Sequence, residues 1–367
     1  MKTLCVVAVL GMAMAALFAC GLLGCGEEEP ALASCADRDG DGFGDPASPL
    51  CPHPQQDCDD SDPLVHPGSR ERCTNGIDDN CDGLVDLRDA ACELRPFSFV
   101  VLADPHIEGD PDHEARLLSA LEWINLNRAE RRIELVLIVG DIAWGEGHLE
   151  RTREMLDTLA VPYLPLIGDN EIQSGFEREF NDTFSPQYET LAGILDNWHK
   201  APAPVWNPEQ GTESFFQNFS FDHRGVHFVG LDWCTRRVAP IVGEQADLHD
   251  FPGGTFEWFR QDIEGCPKPL EENIVMASHH PMHFLPIGAF TIQEQTVLER
   301  FTSQYRDALY ADFAGHYHLS VHNGLRSAGY EIYLTQSPWV AQNALRIVTV
   351  DYEQDRIAYS SEIVTIP

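Results

Sequence analysis

From Phe97 onward, short apolar blocks alternate with amphipathic stretches. "FSFVVLADPH" is a near-continuous apolar run with β-branched residues, which predicts a strand buried on both faces. "DHEARLLSALEWINLNR" has helical spacing, "IELVLIVGD" reads as a strand, "HLERTREMLDTLA" as a helix and "VPYLPLIGDNE" as a third strand. This alternation predicts an α/β sheet with crossover helices. Between residues 172 and 215 the rhythm lapses into aromatics, Pro and Asn, which predicts an insertion over the strand ends. Its Phe176, Phe184, Tyr188 and Trp198 read better as local core than as a substrate lid. Beyond it, "FFQNFSF" and "VHFVGLDW" predict a hairpin, and "NIVMASHH" and "ADFAGHYH" predict strands between helical stretches. "LRIVTVD" and "RIAYSSEIV" predict a closing hairpin. The strand-rich second half points to two packed sheets.

The chain begins differently. Lys2 precedes a long apolar run that ends in Leu22-Leu23-Gly24-Cys25, which resembles a bacterial lipobox. The resemblance implies a signal peptide over 1–24, lipidation of Cys25 and a tether over 25–34. A cut near Cys20 and an uncleaved membrane anchor are the alternatives. Either way the rest is expected outside the cytoplasm, on the outer membrane or cell surface, held to the membrane by lipid.

Residues 35–92 have little apolar periodicity and hold six of the eleven cysteines. So small a segment cannot fold on a hydrophobic core alone, and the cysteines predict a disulfide framework. Six cysteines allow fifteen pairings, and spacing does not choose among them. Cys234 and Cys266 are expected to form a further bridge. Within 35–92, Asp78, Asn80, Asp82, Gly83, Asp86 and Asp89 fall at the alternating positions of a calcium loop. Asp37, Asp39, Asp41 and Asp45 make a second, less complete one. Oxygen-only donors favour calcium over zinc or copper. With "DCDDSDPLVHPGSRERCTNGIDDNCDGLVD", this segment resembles the bacterial MopE-type Asp/Cys-rich metal-binding repeat. The formal net charge of -35 argues against a nucleic-acid-binding surface.

In the large domain, 97–367, strand after strand ends in a ligand-type residue: Asp104 and His106, Asp141, Asp169, His279, then His316 and His318. Ligands gather at the carboxyl ends of strands in open α/β sheets. In order, "DPH", "GD", "GDNE", "SHHP" and "GHYH" resemble the calcineurin-like metallophosphoesterases. That resemblance implies a four-layer α/β/β/α sandwich with a dinuclear centre. It puts Asp104, His106, Asp141 and His318 on one metal, and Asp141, Asp169, His279 and His316 on the other. Mixed carboxylate and imidazole donors suit Mn, Fe or Zn. The implied reaction is hydrolysis of a small-molecule phosphate ester by metal-activated hydroxide. The alternative is a non-catalytic, calcium-binding surface protein with a degenerate phosphoesterase domain.

One block departs from the family pattern. Asp169-Asn170 stands where the family has Asn-His, and that His is expected to assist the leaving group. Asn170 can donate a hydrogen bond but cannot supply a proton near pH 7. His280 or His283 is the candidate replacement acid.

Overall fold

The computed structural model describes residues 34–366 except 74, 93, 146, 238–244, 269, 284–288, 341, 354 and 355. The expected signal peptide, Cys25 and the tether up to residue 33 lie outside the described residues.

In chain order the first elements are β1 (Phe97–Leu102), α1 (Pro111–Asn127), β2 (Ile133–Val139), α2 (His148–Leu156), β3 (Tyr163–Leu166), α3 (Asp169–Gln173) and α4 (Glu177–Ala192). Then come β4 (Asp196–Lys200), β5 (Val205–Asn207), β6 (Thr212–Ser214), β7 (Phe219–His223), β8 (Val226–Leu231), α5 (Thr255–Gly265) and β9 (Ile274–Ser278). The chain closes with α6 (Ile292–Thr302), β10 (Leu309–Ala314), β11 (Val321–Asn323), β12 (Glu331–Leu334), β13 (Ala344–Glu353) and β14 (Arg356–Thr365).

One sheet has the order β14-β13-β1-β2-β3, with β1, β2 and β3 parallel. The other runs β11-β12-β10-β9-β8-β7-β4, with β8, β9, β10 and β12 parallel. β5 and β6 make a separate hairpin. All six residues of β1 are buried, as expected of a strand covered on both faces. Phe99 meets the edges of Phe228 and Phe313 across the sheet interface, at ring separations of 5.3 and 5.4 Å. α1 buries Leu117, Ala120, Leu121 and Ile124, which belong to the same core as β1 and β2. α5 and α6 bury Phe256, Phe259, Leu298 and Phe301 against Val229, Leu231 and Met276 of the second sheet. Two sheets face each other with helices outside, as the motifs implied.

The segment read as an insertion does not stand apart from the domain. α4 buries Phe180, Phe184, Tyr188 and Leu191, spaced to share one helical face, in the main core. β4 then extends the seven-stranded sheet. Pro186, inside α4, and the polar residues around it masked the helical period in the sequence.

The N-terminal module is tied by Cys35–Cys51, Cys58–Cys81 and Cys73–Cys92. Its interior is polar. Buried Glu71 accepts the backbone amides of Asp79, Asn80 and Asp86, and buried Asp79 accepts from Arg72 and Asn75. The expected Cys234–Cys266 bridge is absent, and both remain thiols. Cys234 is buried below the strand ends with Sγ 3.7 Å from the Ile167 carbonyl, whereas Cys266 caps the far end of α5.

One ion pair ties the two sheets at their other end. Glu134 of β2 accepts from His223 Nε2 at 2.7 Å and from Arg224 Nε at 2.8 Å, in the β7–β8 turn. Burial pushes its carboxyl up, but His223 and Arg224 outweigh that and hold it at about 2, against an ordinary 4.5. A depressed carboxyl stabilises the fold above its unfolded pKa and loses that contribution as pH falls. We predict that Glu134→Gln lowers unfolding free energy at pH 7 by about 1 kcal/mol. In urea melts the difference should shrink as pH falls from 4.5 toward 2.

Candidate metal centre

The residues expected as ligands leave the carboxyl ends of parallel strands from both sheets. Asp104 and His106 follow β1, Asp141 follows β2, and Asp169 opens α3 just after β3. His279 follows β9, and His316 and His318 follow β10. Asp104, His106, Asp141, His316 and His318 all have left-handed backbones, with φ of 51°, 48°, 49°, 66° and 53°. For residues with a Cβ this costs roughly 1–2 kcal/mol each, and such strain concentrates at functional sites. Two motif glycines have a steric reason. A Cβ on Gly140 (φ +79°) would lie 2.4 Å from His279 Nδ1, and one on Gly168 would lie 2.1 Å from the Asp141 amide nitrogen. Only glycine lets the loops that carry the ligands come this close.

The side chains fall into two sets. Asp104, His106, Asp141 and His318 present donor atoms within 4.8 Å of one another, and so do Asp169, His279, His280 and His316. In the first, the Nε2 atoms of His106 and His318 are 3.0 Å apart, and each lies 3.6 Å from a carboxylate, Asp141 Oδ2 and Asp104 Oδ1 respectively. In the second, Asp169 Oδ1 lies 2.8 Å from His279 Nε2 and 3.1 Å from His316 Nδ1. Asp141 faces both, since its other oxygen, Oδ1, is 3.3 Å from His279 Nε2. That is where a bridging carboxylate belongs. The supporting contacts suit ligation as well. The His279 Nδ1 proton goes to the Val139 carbonyl at 3.0 Å, which leaves Nε2 open toward the centre. Asp104 Oδ2 and His280 Nε2 are buried with no hydrogen-bond partner. Bare buried polar atoms are costly, so the donor set fits two transition-metal ions.

Charge points the same way. Burial raises the Asp104 carboxyl to about 7 and pushes Asp141 well above the ordinary range. Burial lowers His106 to about 3 and His318 to about 4, and depresses His316. Those imidazoles are therefore neutral, the form that binds metal. Burial alone would lower His279, but Asp141 and Asp169 outweigh it and raise it well above the usual value. Burial would raise Asp169, yet the hydrogen bonds from His279 and His316 hold it far down. Without an ion, the centre keeps protons on some acids and shares one between His279 and Asp169.

Asn170 and the two candidate acids, His280 and His283, are all buried, and His283 Nδ1 has no hydrogen-bond partner among the described residues. Asn170 is almost wholly buried, with its amide nitrogen 2.7 Å from His106 Nδ1 and its backbone N–H donated to Asp141 Oδ1 at 2.9 Å. His280 is fully buried within the second donor set. Burial, then His316 and His279, hold its pKa well below normal. Glu171, not singled out from the sequence, accepts the amides of Ala143 and Gly168 and so fixes two ligand loops together. The acidic fourth position of "GDNE" was the available signal. Trp339 was missed too. Its ring packs edge-on to His106 and His318, 5.5 and 5.3 Å away, and no motif marks it.

In the N-terminal module the two expected calcium loops differ. Asp78 Oδ1 and Oδ2 accept the amides of Asp82 and Gly83, Asn80 Oδ1 accepts that of Asp82, and Asp82 Oδ1 accepts that of Leu84. Asp86 instead accepts the amides of Asn75 and Gly76, and Asp89 accepts from Asn80 Nδ2 and the Ala91 amide. Asp86 thus serves a neighbouring turn, whereas Asp89 reaches Asn80 of the Asp78 loop. Asp37, Asp39 and Asp41 lie together, while Asp45 turns away to accept from Gln56 Nε2 at 3.0 Å.

A two-sheet α/β sandwich with paired Asp/His donor sets at its strand ends defines the class. Residues 97–320 match the family model for calcineurin-like phosphoesterases, and residues 57–86 match the MopE-type metal-binding motif. The first match spans more than half of the 367 residues, and the chain belongs to the calcineurin-like phosphoesterase family. A search of the curated proteins finds no match. Among solved structures, a dimetal phosphatase from Danio rerio is 16% identical, over 74% of this chain and 98% of that one, with a TM-score of 0.45. The anchor in the inner membrane complex of Plasmodium is 9% identical, over 74% and 84%, with a TM-score of 0.45. Phosphopantetheinyl hydrolase from Mycobacterium tuberculosis is 12% identical, over 66% and 90%, with a TM-score of 0.39.

Two predictions follow from this geometry. With an ion on His106 Nε2, the ring proton sits on Nδ1, and Asn170 must turn its amide to accept it. Asn170→Ala should therefore weaken metal loading by roughly 10–100-fold, read by equilibrium dialysis with metal analysis. Because Asp104, Asp141 and His279 hold protons near neutrality in the ion-free centre, loading must expel them. Apparent metal affinity should rise from pH 6 to pH 8, and calorimetry in buffers of different ionisation enthalpy should show proton release.

Proposed function

We propose that this protein is an exported, lipid-anchored phosphoesterase that hydrolyses a small-molecule phosphate ester at a dinuclear centre. The observation that carries the reading is the convergence of Asp104, His106, Asp141, Asp169, His279, His316 and His318 into two adjoining donor sets with Asp141 between them. Two ions held there, Mn, Fe or Zn, would polarise a phosphate ester and generate hydroxide from water near neutral pH. Export is supported by the leader sequence and by three disulfides, which persist in oxidising compartments. Lipidation at Cys25 would hold the protein on the outer membrane or cell surface. The small N-terminal module would bind calcium.

The chain's own residues set the limits of the reaction. Asp104, His106 and His318 would hold one ion and Asp169, His279 and His316 the other, with Asp141 shared. Asn170 steadies His106 and offers no proton near pH 7. His280 is held unprotonated by burial, so it offers none either. With neither of these two supplying a proton, turnover depends on the leaving group's own acidity or on His283, the other candidate acid.

The test is turnover of the purified protein loaded with Mn or Zn. Nitrophenyl phosphate mono- or diester should be hydrolysed, and alkyl phosphates much more slowly. Asp141→Asn should lower turnover by roughly two to three orders of magnitude. No turnover with any metal, in protein shown to hold two transition ions, would overturn the proposal.

A further inference from the structure

The N-terminal module contains three carboxylates that share one unusual state. Asp39 Oδ1 accepts the Asp41 amide, Asp41 Oδ1 accepts the Phe43 amide, and Asp57 Oδ1 accepts the Asp59 amide. In each, the second oxygen is buried and has no hydrogen-bond partner. Asp57 is 1% exposed and lies outside the 37–41 loop in sequence. The fold brings it there. Gly44 and Gln56 form a bridge, the Asp57 amide donates to the Gly44 carbonyl at 3.1 Å, and the His53 amide donates to the Gly42 carbonyl at 2.9 Å. Asp37 plays a different part. Its two oxygens accept the amides of Gly40 and Gly42 and so curl the loop around the others.

Asp57 is buried and Asp39 and Asp41 are half-buried, Asp57 feels the charge of both, and the bare oxygen of each has lost its water. Burial raises the carboxyls of Asp39 and Asp57, and each feels the charge of Asp41. A hard divalent cation removes both penalties at once, and oxygen-only donors select calcium over a transition metal. We propose that Asp39, Asp41 and Asp57 form a calcium site in which Asp57 crosses from the matched MopE-type segment to close the preceding loop. This rests on the reading that the N-terminal module binds metal, but it moves the site from the Asp78 loop to a junction. Both Asp78 oxygens accept backbone amides, and neither is buried and bare as in the other three. Filling the junction site would lock the Cys35–Cys51 loop onto the start of the 57–86 segment.

The experiment uses the whole protein, freed of metal with chelator and titrated with calcium. Wild type should bind calcium and gain thermal stability with added ion, as expected for a ligand of the folded state. Asp57→Asn should weaken that binding at least tenfold, and Asp78→Asn should leave it unchanged. Retention of the Cys35–Cys51, Cys58–Cys81 and Cys73–Cys92 bridges by mass mapping, with unchanged turnover on nitrophenyl phosphate, verifies that the variant is folded. An identical calcium isotherm for Asp57→Asn and wild type would overturn the proposal. So would wild-type protein that shows neither binding nor a thermal shift with calcium, a result that stands whether or not the variant folds. Calcium binding without turnover would count against the phosphoesterase reading alone.

Discussion

Three carboxylates, Asp104, Asp141 and Asp169, are buried together where the ends of two sheets meet. Much of the surrounding structure can be derived from that constraint. Like charges in a dry place repel, so the site needs positive charge of its own or an ion. The protein supplies little. Among the four ligand-type histidines only His279 is driven toward its charged form, while His106, His316 and His318 are driven away from theirs. The neutral imidazoles leave the compensation to cations. The same demand explains the strained turns after β1, β2 and β10, since five ligands must turn inward over a very short length of chain. It also explains why glycine precedes Asp141 and Asp169, where any Cβ would strike the opposing ligand or its backbone.

Much of this was legible in the sequence because strand ends write themselves plainly. A buried parallel strand is an apolar run, and the first polar residue after it stands at the sheet's edge. Asp104, Asp141, Asp169, His279 and His316 were all found that way, and the fold brings them together. What stayed hidden depended on contacts between distant segments. Asp57 looked like one acid among many, because only the Gly44–Gln56 bridge sets it against the 37–41 loop. The pairing of six cysteines is likewise a three-dimensional fact. α4 was missed because Pro186 and the polar residues around it blurred the period that its buried face keeps. The expectation of a Cys234–Cys266 bridge rested on export and parity, and Cys234 lies beside Ile167 and His280 whereas Cys266 caps the C-terminal end of α5.

The chain joins two donor chemistries. The strand-end centre mixes nitrogen and oxygen and is built on rigid elements, which suits ions that must polarise a substrate. The acidic loops of the N-terminal module offer only oxygen, and the module has little apolar core and three disulfides, so any ion there would contribute chiefly to folding. The two should respond to different metals and different chelators, and the difference follows from donor atoms alone.

Asn170 is where the family pattern and this structure part. A histidine at that position could lend a proton. The amide instead sits 2.7 Å from His106 Nδ1, on the side of the ring away from the centre. A neutral amide has both a donor and an acceptor, so it can partner His106 in either ring tautomer by turning over. A protonated histidine there would place a second positive charge against a ring that must itself stay neutral to bind metal. The exchange of His for Asn therefore removes a proton source and secures a ligand in one step. Asp169 beside it would strengthen the same trend, since a carboxylate in place of an amide would bind an ion more tightly and leave it a weaker Lewis acid. Both changes would favour retention of metal over speed on difficult leaving groups.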